Sequence, residues 1–513
     1  MDASAEPRSE DWGPFGEPIF LDPSARALSR VGVVDVGSNS VRMVVFDGAA
    51  RSPAYFFNEK LMCGLGAGLA ETGRLNPEGK IRALAALRRF TQLAEGMGAT
   101  PLHAVATAAM REAEDGPEFC ATVLRETGLK LWVIDGQEEA RLSAQGVLLG
   151  WPDADGLVCD IGGSSMELAL VRDNQVGDRL TSPLGPLKLS NVKGGKKGLR
   201  KHIDAIMADL AEQMGTRHPR LFLVGGSWRA IARLDMERRG YPLTVLHEYE
   251  MTRKTIRDTL AWIAENSLSD LRARTGISDA RMSLIPIASE VLRSLLKTLK
   301  PQQIAISSYG IREGLLYEQM PDPLRARDPL IEACRFVEAK DARQPGFGRQ
   351  LYDFVAPLFP HAGWDKLRLV RAACLLHDTA WRAHPDYRHE VCFDNATRAN
   401  LGGLDHPGRV FLGLALLHRY RNNRAGSRLE PLFGLLSEKQ ITEAEVLGKA
   451  MRFGAMFSSQ APTDLAKLRF MPKKRVLELT IHPSGEQLYG EVAEARLGSL
   501  AKSLNAEYAV KFR

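Results

Sequence analysis

The sequence predicts an α/β protein of two lobes around a cleft, followed by an α-helical domain and a small α+β module. Three observations predict it. From residue 31 to about 320, β-branched apolar runs alternate with helically spaced ones, the signature of a layered α/β sheet. The pattern "apolar strand, Asp, Gly/Ser turn, apolar strand" stands at 31–48 and returns at 156–175, which reads as an internal duplication. Past MPDPLRARDP (320–329) the chain turns Leu/Ala-rich, with helical spacing and few β-branched runs.

The elements follow in order. Residues 1–30 carry six acidic and three basic residues, several Pro and Gly and no periodicity, and read as a mobile leader. The first lobe is 31–155. It opens with strand–turn–strand in VGVVDVGSNSVRMVVFDG, and 76–98 is a helix with Ile81, Leu84, Leu87 and Phe90 on its apolar face. PLHAVATAAMREAED (101–115) is a short buried strand running into a helix, and KLWVIDGQEEARLSAQGVLLG (130–150) is strand, turn, helix. The second lobe, 156–320, opens on GLVCDIGGSSMELALVRDNQ. It continues with PRLFLVGGSWRAIARLD (219–235), strand to helix, and QQIAISSYGIREGLLYEQM (302–320), strand to helix. The helical domain spans 321–465. In the last module, 466–513, the basic stretch KLRFMPKKR either extends a polyanion track or is simply a linker, and it leads into a hairpin at 475–492 turning on Pro-Ser-Gly, then a helix and a last strand, YAVKF.

Composition bounds the function. Of 513 residues, 44% are hydrophobic and 25% charged, which is ordinary for a globular chain and excludes a fibrous or largely disordered one. No apolar run approaches the ~18–20 residues needed to cross a bilayer, and the acidic start is unlike a signal peptide. The net charge of +6 does not require nucleic acid but permits a polyanionic ligand where charge is concentrated. Six scattered cysteines without a CxxC pair read as buried free thiols in a reducing cytoplasm.

The repeated turns carry the chemistry. In each, a strand delivers an Asp to its carboxyl end and the chain then folds tightly through small residues, so that backbone N–H groups can approach an anion. Ser38, Asn39 and Ser40 in the first turn, and Gly162, Gly163, Ser164 and Ser165 in the second, are the candidate phosphate cradle. Asp35 and Asp160 would repel phosphate unless a cation lay between, and such oxygen ligands suit Mg²⁺. One Gly/Ser turn alone is equally an ordinary hairpin turn; the pair with the same Asp offset is the stronger signal. KLSNVKGGKKGLRK (188–201) has six basic residues and no acidic one. It is either a solvated loop or, beside a phosphate cleft, a surface whose Lys193, Lys196 and Lys197 draw in long polyanions.

DVGSNSVRMVVFDG and DIGGSSMELALV resemble the two phosphate loops of the actin/hexokinase ATPase superfamily, whose lobes are ribonuclease H-like. In order, DVGSNS, VATAAMREA, IDGQEEARLSAQGV, DIGGSSMEL, VGGSWRAIARL and SSYGIREGLLYE resemble the exopolyphosphatase/guanosine pentaphosphate phosphohydrolase family over residues 31–320. The resemblance implies a cytoplasmic, Mg²⁺-dependent hydrolase that removes terminal phosphate from inorganic polyphosphate, with guanosine pentaphosphate as the alternative substrate and a homodimer as the assembly. It implies Glu139 as catalytic base, with the adjacent Glu138 second, and Arg111 as a phosphate-contacting arginine. Asp160 and Glu167, with Asp35, are implied as metal ligands. Where many relatives have GGGS-T-E this chain has GGSS-M-E, so Ser164 replaces a glycine and the turn's backbone freedom comes into question. The third turn, VGGSWRAIARL, matches the place where ATPase relatives hold adenosine; it is equally a helix start with Gly packed close.

Read one at a time, these residues have plainer roles: a helix-start carboxylate for Glu139, an ion-pair arginine for Arg111, a solvent-facing strand carboxylate for Glu167. Their joint occurrence in family order favours the functional roles. Two other classes compete: an actin-like kinase or ATPase, and a non-enzymatic binder of polyphosphate or alarmone. The helical region resembles, more loosely, the HD-like domain of longer relatives. Its His377–Asp378 pair, with His406 and His418, has donors suited to a divalent metal, but His361 is a poor upstream partner, and a metal-free domain is the expectation.

Overall fold

The structure is a computed structural model in which residues 30–47, 51–99 and 101–513 are described; the predicted leader lies outside them except for Arg30. Residues 30–329 form one compact unit and 330–513 another.

The first unit holds two sheets built on one plan. In the first, β1 (Val31–Val36), β2 (Ser40–Phe46) and β3 (Tyr55–Met62) form an antiparallel meander, and β4 (Leu102–Ala106) and β5 (Leu131–Val133) add parallel strands, in the order β3-β2-β1-β4-β5. The second repeats this with β6 (Gly156–Ile161), β7 (Met166–Arg172), β8 (Gln175–Ser182), β9 (Arg220–Gly225), β10 (Glu250–Met251) and β11 (Gln303–Ile306), in the order β10-β11-β9-β6-β7-β8. Again the first three strands are antiparallel, and β6, β9 and β11 run parallel. The duplication seen in the sequence is therefore a duplication of topology. The near-continuous apolar runs of β1 and β6 follow from this, since each is a central strand buried among helices. β3 and β8 are strands the sequence does not announce. β3 alternates between exposed and half-buried residues, and β8 is exposed or half-buried throughout except at Ser182.

The helix Pro77–Gly96 begins at Asn76, whose side chain accepts from Gly79 N, with Pro77 at the first helical position. Its buried face is Ala83, Ala86, Leu87, Phe90 and Ala94; Ile81, expected on that face, is 72% exposed.

Two helices cross between the sheets. Gly136–Gly150 follows the first sheet in sequence yet packs on β7 and β8 of the second, and Ile311–Glu318 follows the second yet packs on β1. They pack on each other through glycines. A Cβ on Gly314 would stand 1.8 Å from the Leu142 carbonyl oxygen, and one on Gly146 2.3 Å from that of Gly310. Arg141 ties the crossing with ion pairs to Glu138 and Glu318.

The second unit is mainly helical from Leu330 to Leu465. It ends in a three-stranded sheet of β12 (Ala466–Met471), β13 (Val476–Ile481) and β14 (Glu507–Phe512), with β13 central. The hairpin lies one element earlier than predicted. KLRFMPKKR is not a linker: it forms β12 and the 3₁₀ turn Pro472–Lys474, and β13 pairs antiparallel with β12. Pro-Ser-Gly opens another 3₁₀ segment, Pro483–Leu488, and the helix Glu491–Ser503 carries the chain to β14, parallel to β13. No described helix is long and apolar enough to cross a membrane. The six cysteines are free thiols, all buried except the half-buried Cys120.

Candidate functional site

The two predicted turns have the same local structure. Gly37 N donates to Ser40 O at 3.0 Å, and Gly162 N donates to Ser165 O at 3.0 Å. Asp35 is the penultimate residue of β1, opposite Arg42, and Asp160 stands at the matching place on β6, opposite Glu167. The duplicated frame thus carries a cation in one copy where it carries a carboxylate in the other. Ser164 does not take positive φ, so the side chain that replaces the family glycine is unstrained.

Both turns line one cleft, a cavity of ≈ 280 Å³. Asp35, Ser38, Asn39, Ser40, Glu139, Asp160 and Gly162 through Ser165 all face it. The third turn contributes Gly225 and Gly226. Gly225 has φ +111°, and a Cβ there would meet the Ile161 carbonyl oxygen at 2.6 Å and Asp160 Oδ1 at 3.0 Å. Only glycine lets that turn close on Asp160.

Three carboxylates, Asp35, Glu139 and Asp160, line this cleft, and Glu167 is buried opposite Asp160, outside the lining. Glu139 sits in the first turn of the helix Gly136–Gly150, whose N-cap Asp135 accepts from Glu138 N. Glu139 is 6% and Glu167 1% exposed, and an oxygen of each (Oε2 in both) is buried without a hydrogen-bond partner. Burial, then the charges of Glu167 and Asp160, hold the Glu139 carboxyl well above its ordinary value of 4.5. Burial likewise pushes Glu167 up to about 8, although Thr181 Oγ1 donates to it. Asp160 is raised by burial and accepts from Ser143 Oγ on the same helix as Glu139. Asp35 is raised by burial, with Arg312 Nη1 3.4 Å from its Oδ2 pulling the other way. Glu138 points elsewhere, onto Arg141.

Cations line the same cleft: Lys60, Arg229, Arg281 and Arg312, with Arg42 beside them. They oppose one another. Arg229 is pushed down to about 10 by burial and by Arg312 and Arg281. Lys60 is lowered by burial and then by Arg281, Arg42, Arg312 and Arg229. Sequence reasoning missed these residues. Lys60 lies on the unannounced β3, and Arg312 meets Asp35 across 277 positions, a pairing with no local signal.

Two predictions fare differently. Arg111 is not among the residues lining the cleft. Its Nη1 donates to the Ile134 carbonyl at 2.6 Å and stands 3.8 Å from Glu139 Oε2, so it flanks Glu139. Lys193, Lys196 and Lys197 also lie outside the cleft lining, all exposed; Lys196 pairs with Glu290 at 3.6 Å, beside a separate groove. Lys196 and Lys197 stand in the first turn of the helix Gly195–Met214, and Lys193 just before it.

The donor set fits a hard divalent cation. Asp35, Asp160 and Glu167 offer only oxygen, Glu167 Oε2 is buried and unpartnered, and Gly225 leaves room at Asp160 that a Cβ would fill. Among the described residues no three His, Cys, Asp or Glu side chains converge as a ligand group. The protein side would therefore be one or two carboxylates, the manner in which Mg²⁺ is usually held.

In the second unit, His377 Nδ1 donates to Cys374 O at 2.8 Å, and Asp378 receives both arms of Arg343, at 2.7 and 2.6 Å. The HD pair is thus absorbed in structural hydrogen bonds.

Fold and cleft define a class: a duplicated, two-lobed α/β protein whose paired Gly/Ser turns face each other across carboxylates and cations. The chain belongs to the Ppx/GppA phosphatase family, whose model matches residues 44–322, and the model described as exopolyphosphatase, C-terminal, matches 330–510. Exopolyphosphatase 1 of Mycobacterium tuberculosis is 27% identical over 304 residues, covering 57% of this chain and 88% of that protein. Retrograde regulation protein 2 of Saccharomyces cerevisiae is 24% identical over 453 residues, 78% of this chain and 75% of that protein. Of the solved structures, the Aquifex aeolicus Ppx/GppA family member is similar with a TM-score of 0.51 at 24% identity, covering 57% of this chain and 97% of that one. An exopolyphosphatase from Cytophaga hutchinsonii gives 0.51 at 22%, covering 56% and 97%. These likenesses show the fold.

Proposed function

We propose that this chain hydrolyses the terminal phosphoanhydride of inorganic polyphosphate. The observation that carries the reading is the crowding of Lys60, Arg229, Arg281 and Arg312 into the cleft of the two turns, each charge opposing the next. Such repulsion is relieved by a polyanion lying among them. Exopolyphosphatase relatives support the substrate class. So does the cleft lining, which among the described residues includes no aromatic side chain on which a base could stack. Guanosine pentaphosphate therefore ranks second.

In this reading the N–H and hydroxyl groups of Gly37–Ser40 and Gly162–Ser165 hold the terminal phosphate, and the arginines spread its developing charge. Glu139 takes a proton from the attacking water. The new bond joins the water oxygen to the terminal phosphorus, the bridging P–O bond breaks, and orthophosphate separates from the shortened chain. Burial makes Glu139 a stronger base than an exposed carboxylate, suiting it to work near neutral pH. Arg111 acts as a positioning residue for Glu139. Mg²⁺ held at Asp160 and Glu167, with Asp35 nearby, would neutralise phosphate oxygens. The HD-like identity of the helical region, a homodimer and a cytoplasmic setting rest on the resemblance and belong to the same proposal.

The test is orthophosphate release by the full chain with Mg²⁺, from long-chain polyphosphate and guanosine pentaphosphate in parallel. Release from polyphosphate that disappears with chelator is expected. Binding of both without release would leave a non-enzymatic binder; faster release from the nucleotide would reverse the ranking.

A further inference from the structure

No residue of the basic run 188–201 is among the described residues lining the cleft, and what the run borders is a second feature. A groove of ≈ 1110 Å³ lies on the second lobe among the helices Gly195–Met214, Arg253–Glu265 and Ile285–Leu299. None of its lining residues is shared with the cleft. Its floor is apolar. Ile256, Ile263 and Leu296 are buried in it, whereas Leu199, Leu260 and Ile287 pack on the core yet stay only partly buried. Its rim is cationic on all three sides: Lys196 and Arg200 one turn apart on the first helix, Arg253, Lys254 and Arg257 on the second, Arg293 and Lys297 on the third.

Glu290 is the one acidic residue among the lining, and it is already held by Lys196, Arg200 and Arg293 at 3.6, 2.8 and 2.9 Å. Among the described residues Arg253, Lys254 and Lys297 have no carboxylate partner. In the wall, Ser289 Oγ is buried without a hydrogen-bond partner.

We infer that this groove docks an acidic amphipathic helix of a partner protein. The argument is charge and shape complementarity. An apolar floor calls for an apolar face, which inorganic polyphosphate does not have. Cations along three sides call for anionic groups spread along the ligand, and a fatty-acyl anion carries its charge at one end. A helix with apolar residues at i, i+3, i+4 and i+7 and acidic flanks supplies both. The volume exceeds the ~300–1000 Å³ of small-molecule pockets, as an open helix-binding groove should.

The experiment measures fluorescence anisotropy of a labelled 18-residue synthetic helix, with Leu at those positions and Glu on both flanks, against the full-length chain. A scrambled peptide of equal composition is the control; cis-parinaric acid and long-chain polyphosphate are the competitors. We expect saturable binding that weakens with salt, drops at least tenfold in Leu260→Asp and in Arg253→Glu/Lys254→Glu, and survives in Leu260→Met. Equal binding of the scrambled peptide, or parent-like binding by Leu260→Asp with an unchanged melting curve, overturns the inference. So does displacement of the helix by cis-parinaric acid or polyphosphate at stoichiometric amounts, or self-association of the chain through this face. Phosphate release is not used as readout, so the inference and the hydrolase reading stand or fall separately.

Discussion

Replacing Glu139 by Gln should move activity and stability in opposite directions. The change is nearly isosteric and leaves the helix Gly136–Gly150 its cap at Asp135. A lost general base typically costs 10²–10⁴ in rate, about 3–5 kcal/mol of barrier. Stability works the other way. Removing the carboxylate forfeits the attraction of Arg111 at 3.8 Å, at most ~4 kcal/mol at an effective dielectric of 20. It also removes the burial penalty and the repulsion of Glu167, Asp160 and Asp35, and the raised titration of Glu139 shows that these outweigh Arg111. The folded-state value lies above the ordinary 4.5, so the protonated group's contribution is whole below pH ~4.5 and is lost as pH rises through the folded value. The substituted amide has no proton to lose, so it keeps that contribution at every pH. The difference in Tm, variant minus parent, should therefore be near zero at pH 4.5 and grow positive toward pH 9, at roughly 2–4 °C per kcal/mol. The assay is differential scanning fluorimetry of metal-free protein across that range, beside orthophosphate release at neutral pH. A variant less stable at every pH with more than a tenth of parental activity would refute both the carboxylate cluster and the base.

Three further outcomes follow from the same geometry. Arg229→Gln should weaken polyphosphate binding and reduce the slope of log K against log salt by about one, since one phosphate contact is removed; titrations at several salt concentrations check it. Gly314→Ala should destabilise the first unit by about 3 kcal/mol, because the added carbon would stand 1.8 Å from a carbonyl oxygen and the crossing helices must part; urea unfolding measures it. Arg343→Ala leaves Asp378, whose side chain is only 5% exposed, without its bidentate partner; the arginine is half exposed, so about 2 kcal/mol is expected in the melting of the second unit, with Arg343→Lys recovering part.

What can be read in advance is what local pattern encodes. β1, β2, β6 and β7, the helix Gly136–Gly150 and the paired turns are continuous stretches whose apolar runs, Asp and Gly/Ser turns announce themselves, and the second-unit helices follow from their spacing. β3 and β8 escape such reading because their patterns are half exposed. The C-terminal hairpin is predicted one turn late because Pro-Ser-Gly and Met-Pro-Lys-Lys are equally good turn sequences, and only pairing with β12 chooses between them. Ile81 fits the helical spacing but faces water.

By itself, then, the sequence determined the duplicated α/β frame, the two turns and the acidic residues they deliver, because each is written in residues close together along the chain. Which cations meet those turns was decided by the tertiary structure. Lys60, Arg229, Arg281 and Arg312 come from segments far apart in the chain, while the conspicuous lysines lie outside the cleft lining, Lys196 and Lys197 on a separate helix and Lys193 just before it. The same holds for the crossing of Gly136–Gly150 with Ile311–Glu318, which brings Arg312 to Asp35. The physical reason is that charge acts through space. A run of lysines sets a potential only where the fold puts it, and a lone arginine becomes part of a site when packing 277 residues away places it there.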